Sequence, residues 1–392
     1  MKRQPLNDML ADIARQNLTR RRVTVDGFVE AGQRLVTRVD GQTLVDFSSN
    51  DYLGLAHHPA IAAAMSACAA RLGAGSGASH LVTGHGIEHE RLEEELAEFT
   101  GRESALLFST GYMANLGVMT ALAGRGERVL LDRLNHASLI DGTLLSGARF
   151  TRYAHADADA AASALDQHPQ ETAIVATDGV FSMDGDIAPL PRLAQVAAAH
   201  KAWLVVDDAH GIGVLGKHGR GCTEELSPDE VPVLIGTLGK ALGSFGAFVA
   251  GSRDLIEFLI QKARPYIYTT ALPQPVAAAT RKALEIARRE AWRRERVLAL
   301  TARFRSAARE LGIPLLDSHT PIQPVLLGSS EAALRAQREL HNAGFRVVAI
   351  RAPTVAKGSE RLRVTLSAAH TEAQVDALVE AINRAHVKDA VE

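Results

Sequence analysis

The sequence AWLVVDD, residues 202–208, passes from an unbroken apolar run directly into two aspartates. A run such as WLVV has no polar face, which is typical of a strand that is buried on both sides of a sheet. The aspartates then stand at the carboxyl end of that strand. This stretch therefore predicts a central strand of a parallel sheet, with Asp207 and Asp208 at one edge.

Five more short apolar segments surround this strand along the chain. Between several of them lie alanine-rich helical stretches such as LAQVAAAHK. Near-continuous apolar strands that alternate with helices predict an α/β domain, in which a large, mostly parallel sheet is covered by helices on both faces. The five segments are SALLFS (104–109), RVLLD (128–132), TAIVAT (172–177), PVLIGT (232–237) and GAFVAG (246–251).

The pattern differs on either side of this region. Residues 1–45 predict an amphipathic helix over 6–22, then a hairpin that turns at Asp40-Gly41, a pair suited to a tight turn. Residues 46–280 form the predicted large domain. Residues 281–392 predict a smaller α+β domain, whose last helix begins at a T-E-A-Q capping box starting at Thr371. The boundary is expected near residue 280, after the proline-marked segment ALPQPV.

Composition excludes several classes of function. The formal net charge is −2, with 46% hydrophobic and 22% charged residues, so no basic surface favours nucleic acid or a membrane. The two cysteines, Cys68 and Cys222, favour a reducing compartment over a disulfide framework. The first 22 residues lack the continuous apolar run of a signal peptide, and no stretch is long enough to span a bilayer. We expect a soluble cytoplasmic protein.

Polar side chains follow five of the predicted strands at the point where each strand ends. Ligands of open parallel sheets bind outside the carboxyl ends of the strands. Because these ends meet at one edge, the pattern predicts a single binding site there. The residues, in chain order, are Gly111 and Tyr112, then Asn135 and His136, then Asp178 and Ser182, then Asp207, Asp208 and His210, and finally Thr237 and Lys240.

Lys240 is the most unusual of these residues. In GTLGKALGSFGAF (236–248) it is the one charged side chain among glycines and apolar residues. A desolvated lysine has a lowered pKa and becomes a base and a nucleophile toward carbonyls. An aldehyde cofactor bound to Lys240 as an imine, with Asp207 at its ring nitrogen, would explain both residues. A helix N-terminus at Gly111 and the Thr237 hydroxyl would hold its phosphate. That cofactor is pyridoxal phosphate.

Two other motifs suggest different functions. The stretch LIGTLGKA resembles a nucleotide-binding P-loop, which would make the chain an NTPase or a nucleotide-binding module. However, Leu234 stands where the first glycine belongs, and Ala241 stands where a Mg²⁺-binding hydroxyl is needed. The motif His85-Gly-Ile-Glu88-His89 matches a zinc-protease pattern. The same residues also begin a plain amphipathic helix, and Gly86 weakens the helix within the motif, so we expect no metal.

Seven motifs together resemble the α-oxoamine synthases, which are fold-type I enzymes that use pyridoxal phosphate. The resemblance runs in order over nearly the whole chain, and it implies the large sheet domain with a smaller α+β C-terminal domain. The motifs are FSSNDYLGL (47–55), GSGASHLVTG (75–84), FSTGYMAN (108–115), NHASLIDG (135–142), TDGVFSMDGDIAPL (177–190), VVDDAHGIGVLG (205–216) and GTLGKALGSFGAFVAG (236–251).

The resemblance also implies roles for individual residues. Lys240, His136 and Asp207 would be catalytic, with His136 stacked on the cofactor ring and Ala209 on its other face. Asp178 stands where the family often has glutamate. The cofactor would be held by Gly111, Tyr112, His136, Ser182, Asp207, His210, Thr237 and Lys240. The substrates would be held by Asn50 and Arg351 at the amino-acid carboxylate, and by His136, Thr354 and one arginine of the run Arg20–Arg22, aligned at Arg20, near the acyl group.

The implied activity is an acyl transfer. Within the family, the chain looks most like enzymes that condense L-alanine with a pimeloyl thioester, with loss of carbon dioxide and release of the thiol. The thioester would be carried by coenzyme A or by a carrier protein. Relatives that join glycine to other acyl-CoAs share the same core residues, so they stay as the alternative. The resemblance further implies a homodimer, with RPYIYTTALP (264–273) as the segment that reaches the neighbouring subunit.

Overall fold

Helices and strands alternate through the middle of the chain in the computed structural model, which describes residues 5–15, 18–20, 22–28, 35–39, 41–167 and 172–389. The first half contains α1 (Leu6–Arg15), β1 (Val25–Phe28), β2 (Val36–Val39), β3 (Gln42–Asp46), α2 (Pro59–Leu72), a π-helical turn (His80–Gly84), α3 (Ile87–Thr100), β4 (Ser104–Phe108), α4 (Gly111–Leu122), β5 (Arg128–Asp132), α5 (Ala137–Ser146), β6 (Arg149–Tyr153), α6 (Ala158–Asp166), β7 (Thr172–Asp178) and α7 (Leu190–Ala199).

The second half continues this alternation and then changes to longer helices. It contains β8 (Trp203–Asp207), β9 (Val233–Thr237), β10 (Ala247–Gly251), α8 (Arg253–Lys262), α9 (Arg264–Ile267), α10 (Gln274–Arg289), α11 (Trp292–Glu310), β11 (Ile322–Leu326), α12 (Ser330–Asn342), β12 (Phe345–Arg346), β13 (Val348–Ile350), β14 (Arg361–Thr365) and α13 (Glu372–Asp389).

The large sheet has seven strands in the order β4-β10-β9-β8-β7-β5-β6. Strand β10 is antiparallel to both of its neighbours, and the other pairs are parallel. All six predicted strands are present, and β8 lies at the centre as its apolar run predicted. Strand β6 has no apolar run by which it could be predicted, because four of its five side chains, in RFTRY, are exposed or half-buried at the sheet edge.

Both faces of this sheet are covered, as predicted. Residues that alternate along the strands enter two different cores, because successive side chains of a strand point to opposite faces. Val205 packs in the core that contains residues of α4 and α8. Leu204 and Val206 pack in the opposite core, against residues of α7. The fold-type I architecture expected from the resemblance is therefore present.

The N-terminal segment joins a second sheet with the C-terminal part of the chain. The predicted hairpin forms, since β2 pairs with β3 from Val39↔Gln42 onward. Strand β12 adds to its edge in parallel, with Phe345 opposite Val45. The turn residue Asp40 lies outside the described residues. Helix α1 ends at Arg15, earlier than predicted, and Leu18–Arg20 are not helical.

The small α+β unit consists of the sheet β11-β14-β13 with α12 and α13 packed nearby. The predicted capping box is present at its last helix. Thr371 Oγ1 accepts from the Gln374 N–H at 3.2 Å, and Gln374 Oε1 accepts from the Thr371 N–H at 2.9 Å. The predicted domain boundary at residue 280 falls inside α10. The prolines that suggested a boundary there begin this helix instead, since Pro275 lies in its first turn.

Candidate active site

The carboxyl ends of β5, β7, β8 and β9 and the start of α4 enclose a cavity of about 180 Å³. All eight residues predicted to hold the cofactor line this cavity, together with Asp178 and Ala209. The structure thus brings the side chains from five segments of the sequence to one site. The eight residues are Gly111, Tyr112, His136, Ser182, Asp207, His210, Thr237 and Lys240.

Lys240 lies in the turn between β9 and β10, and its side chain is half-buried. Burial disfavours the charged ammonium and lowers the pKa of Lys240 to about 8, although the carboxylates of Asp207 and Asp178 oppose the shift. Its Nζ lies 3.1 Å from Nε2 of His210. At neutral to mildly alkaline pH the site therefore holds a substantial fraction of neutral, nucleophilic amine.

His210 connects Lys240 to a residue that the sequence did not single out. Its Nδ1 lies 2.7 Å from the hydroxyl of Tyr52, in the FSSNDYLGL motif. Burial, and then the positive charge of Lys240, hold the pKa of His210 well below its ordinary value. Burial raises the pKa of Tyr52 to about 12. Both groups are therefore neutral at physiological pH.

Asp207 is held at both of its carboxylate oxygens. Oδ1 accepts from the Ala209 N–H at 3.1 Å, and Oδ2 accepts from Nδ2 of Asn115 at 2.6 Å. On the neighbouring strand Asp178 lies in register with Asp207 and accepts from the His136 N–H at 2.8 Å. Burial, and then the charge of Asp207, raise the pKa of Asp178 well above its ordinary value.

His136 begins helix α5 and is also tied to Asn115. Its Nδ1 lies 2.6 Å from Oγ of Ser138, and that Oγ accepts from Nδ2 of Asn115 at 2.7 Å. Sequence reasoning missed Asn115 and Ser138. Asn115 could have been predicted from its spacing. It lies four positions after Gly111, so both residues are on the same face of α4.

The start of α4 offers a site for an anion. The hydroxyl of Thr110 caps the helix by accepting from the Met113 N–H at 3.2 Å, and Gly111 and Tyr112 form the first turn. First-turn N–H groups have no intrahelical acceptor, so they attract phosphate. A Cβ at Gly111 would meet no described heavy atom within 4 Å. The helix therefore opens onto free space.

Of the residues predicted to bind the substrates, only His136 lines the cavity. The other four, which the structure also describes, lie outside it: Arg20, Asn50, Arg351 and Thr354. Arg351 is half-buried in a turn closed by its carbonyl and the N–H of Thr354, at 2.9 Å. Thr354 and Arg20 are exposed.

Asn50 joins the site through an arginine that the sequence did not single out. Arg363, buried on β14, donates through Nε to the Ser182 carbonyl at 2.6 Å and through both terminal nitrogens to Asn50 Oδ1 at 3.3 Å. RLRVTLS predicted only a strand. Arg363 is one of two arginines in β14, and its partners lie 181 and 313 residues away, so nothing local set it apart.

The two histidines of the zinc-protease motif, His85 and His89, form a cluster with His80. Ligand atoms of His80, His85 and His89 lie within 4.8 Å of one another. However, His89 Nδ1 accepts from the Gly86 N–H at 2.9 Å, and its Nε2 donates to the Leu272 carbonyl. Both ring nitrogens of His89 are therefore occupied by backbone groups, and His89 links α3 to the segment before α10.

Comparisons with known proteins decide the family. The model of class I and II aminotransferases matches residues 42–382. A curated relative from Methylococcus capsulatus, named 8-amino-7-oxononanoate synthase, is 60% identical over 364 residues, covering 92% of this chain and 94% of the relative. The chain belongs to the 8-amino-7-oxononanoate synthases. It is therefore an acyltransferase of biotin biosynthesis.

Solved structures agree with this family. An 8-amino-7-oxononanoate synthase from Francisella tularensis is 31% identical, with a TM-score of 0.77 over 89% of this chain and 99% of that one. A serine palmitoyltransferase from S. paucimobilis, solved with bound PLP–myriocin, is 29% identical, with a TM-score of 0.92 over 99% of this chain and 98% of that one. The chain is likewise an enzyme that depends on pyridoxal phosphate.

The P-loop alternative is wrong for this chain. A P-loop leads from a strand into a helix whose N-terminus binds phosphate. In the described residues between β9 and β10, Lys240 lies in a turn and no helix follows it.

The helices that the structure describes are each too short or too polar to span a bilayer.

Proposed function

We propose that the chain condenses L-alanine with a pimeloyl thioester, carried by coenzyme A or by a carrier protein, to give 8-amino-7-oxononanoate, carbon dioxide and the free thiol. The observation that carries the proposal is the position of Lys240. Its amine, with a pKa of about 8, faces a cavity that also contains Asp207 and the anion site at Gly111. The names of the relatives favour alanine and pimelate over glycine and other acyl groups.

The donor set fits pyridoxal phosphate. Lys240 would bind its aldehyde, Asp207 its ring nitrogen and His210 its ring hydroxyl oxygen. The first turn of α4, with Gly111 and Tyr112, would bind the phosphate together with the Thr237 hydroxyl. Ser182 would contact the cofactor, and His136 and Ala209 would lie on the two faces of its ring. The chemistry that the group supplies when bound is withdrawal of electrons from the α-carbon of an amino acid.

Lys240 is the base in this proposal. Its lowered pKa leaves a neutral Nζ that can take the α-proton of alanine near neutral pH, which is what general-base catalysis requires. His210, itself neutral, can donate from Nε2 to the lone pair of that amine. Because His210 is neutral, it does not repel Lys240 as a second cation would.

The amino-acid carboxylate would be bound at Asn50 and an arginine. Arg351 was predicted for this role, and Arg363 is the second candidate, because its guanidinium contacts both Asn50 and the Ser182 carbonyl. Arginine suits this role because its planar fork can bind a carboxylate with two hydrogen bonds. Arg20 and Thr354 stay as proposed contacts of the acyl chain, and His136 as the proposed donor to its carbonyl.

A homodimer is proposed from apolar residues that face solvent in the single chain. Helix α1 has Leu6, Met9, Leu10 and Ile13 exposed, and none of its described side chains is buried. Val82 is 73% exposed and Tyr268 is 70% exposed. Their segments contact each other, since the Ala271 N–H donates to the Ala78 carbonyl. These two segments form one apolar surface, and α1 presents a second, and we propose that another copy of the chain covers both.

A cytoplasmic location is part of the same proposal. Both cysteines are free thiols in the structure, which is the usual state in a reducing compartment.

The test is a substrate matrix. The purified holoenzyme is supplied with L-alanine or glycine, each combined with acetyl-CoA, succinyl-CoA, pimeloyl-CoA and palmitoyl-CoA, and with a pimeloyl-carrier protein, and the products are measured by mass spectrometry. We expect 8-amino-7-oxononanoate from alanine and a pimeloyl thioester at a kcat/KM at least about tenfold above every other pair. A higher kcat/KM for glycine with a different acyl-CoA would overturn the proposal.

A further inference from the structure

A chain of three hydrogen bonds connects Asp207 to His136 through two side chains with no assigned role. The bonds join Asp207 Oδ2 to Asn115 Nδ2 at 2.6 Å, Asn115 Nδ2 to Ser138 Oγ at 2.7 Å, and Ser138 Oγ to His136 Nδ1 at 2.6 Å. Asn115 and Ser138 are both buried. Buried polar side chains of this kind are costly unless they are satisfied, so the direction of each bond is constrained.

The direction can be derived from the Asp207 end. A carboxylate only accepts, so the Asn115 amide must present its NH₂ group to Asp207 and not its oxygen. The second N–H of that group then points to Ser138 Oγ. Because Ser138 Oγ already accepts there, its own hydrogen is available for His136 Nδ1. Oδ1 of Asn115, the end turned away, is a buried oxygen with no hydrogen-bond partner among the described residues.

A second donor leads to the same result at His136. The backbone N–H of Ser138 points to His136 Nδ1 at 3.3 Å, which is the usual bond of a side chain that caps a helix. A backbone N–H can only donate. Two donors therefore converge on Nδ1, so Nδ1 carries no proton and the neutral ring carries its proton on Nε2.

We propose that Asn115 and Ser138 are positioning residues that hold neutral His136 as the Nε2–H tautomer, with Asp207 as the anchor that sets the direction of the bonds. The proposal rests on the proposed function, in which His136 donates to the carbonyl of the acyl substrate. An Nε2–H is the donor that this role needs, because Nδ1 is engaged at the start of α5. Asp207, the proposed partner of the cofactor's ring nitrogen, thus also orients His136, the proposed donor to the acyl carbonyl.

The experiment measures the tautomer directly. The holoenzyme is labelled with ¹⁵N-histidine, and the ring nitrogens of His136 are assigned by the signals that His136→Gln removes. We expect a protonated Nε2 and an unprotonated Nδ1 in the wild type. In Ser138→Ala the hydroxyl is lost and the backbone N–H is kept, so the Nδ1 signal should shift and an Nδ1–H population should appear. Asn115→Leu should act in the same direction, because it frees the Ser138 hydroxyl.

Thr143→Val is the matched control. Thr143 is a buried hydroxyl on the same helix, but it donates to the Leu139 carbonyl at 2.8 Å and lies outside the chain of bonds. The His136 signals should be unchanged in this variant. In turnover, Ser138→Ala should lower kcat about tenfold with the KM for alanine unchanged, since one hydrogen bond to a reacting group is removed.

Two results would overturn the proposal. One is an Nδ1–H tautomer of His136 in the wild type. The other is a Ser138→Ala protein, folded by circular dichroism, whose His136 signals match the wild type; this variant decides the matter if Asn115→Leu does not fold. The NMR measurement contains no substrate. A failure of the substrate assignment therefore appears in the substrate matrix and leaves the tautomer result in place.

Discussion

The amine of Lys240 lies 3.1 Å from Nε2 of His210, and Nδ1 of the same ring lies 2.7 Å from the hydroxyl of Tyr52. Burial raises the pKa of Tyr52 to about 12, so the hydroxyl keeps its proton, and two acceptors lie within its reach, His210 Nδ1 and, at 3.3 Å, Asn50 Oδ1. Burial also lowers the pKa of Lys240 to about 8, which explains how a lysine can lie among glycines and apolar residues.

Replacing Lys240 tests its role as base and as the attachment point of the cofactor. Lys240→Ala should lower kcat/KM by about 10²–10⁴-fold or more, because the group that moves the α-proton is gone. After borohydride reduction, mass spectrometry should find the cofactor attached to Lys240 in the wild type and unattached in the variant. Lys262→Ala, which removes an exposed lysine at the end of α8, is the control and should match the wild type. Near wild-type turnover by Lys240→Ala would end the assignment.

The lowered pKa of Lys240 predicts a pH dependence for reconstitution of the apoenzyme. The neutral amine is the nucleophile, and it predominates above the pKa of about 8. The rate of cofactor attachment, followed by stopped-flow absorbance, should rise about tenfold per pH unit below 8 and level off above it. Nα-acetyl-lysine measured over the same range corrects for the titration of pyridoxal phosphate itself. A midpoint near 10.5, the ordinary lysine value, would contradict the burial argument.

Two arginines compete for the carboxylate of alanine, and matched substitutions separate them. Arg363→Lys keeps the charge but loses the two-pronged contact with Asn50, so the KM for alanine should rise by about 10–10²-fold with a smaller change in kcat. Arg351→Lys should change that KM less than about threefold, since Arg363 is the arginine whose hydrogen bonds join Asn50 to Ser182, a residue that lines the cavity. Initial rates at saturating thioester measure both. The reverse order of effects would assign the carboxylate to Arg351.

Much of the site was predictable because parallel sheets gather the ends of their strands. Apolar runs such as WLVV located the strands, and the rule that ligands bind at the carboxyl ends then grouped Asp207, His210 and Lys240 without any knowledge of the tertiary structure. The capping box at Thr371 was predictable for a similar reason, because its two partners are three residues apart.

The features that were missed depend on contacts between distant parts of the chain. Arg363 and Asn50 are separated by 313 residues and meet only when β14 packs beside the large domain. Pairing of β12 with β3 likewise joins the two ends of the chain. No local pattern encodes such pairs. Tyr52 and Ser138 lie within quoted motifs, yet their roles follow from hydrogen bonds of 2.7 Å and 2.6 Å that only the folded chain displays.

The histidine cluster gives a prediction about stability and not about metal. His89→Phe keeps a ring but leaves the Gly86 N–H and the Leu272 carbonyl without their partner. The free energy of unfolding in urea, at one fixed protein concentration, should fall by about 2–4 kcal/mol. His85→Phe removes a bond of 3.3 Å to exposed Glu90 and a contact of 2.9 Å with Nδ1 of buried His80, so it should cost about 1–2 kcal/mol, less than His89→Phe. Dialysis against EDTA should leave the activity unchanged. Loss of activity on chelation that zinc restores would show instead that the three histidines hold a metal, since a backbone contact cannot respond to chelation.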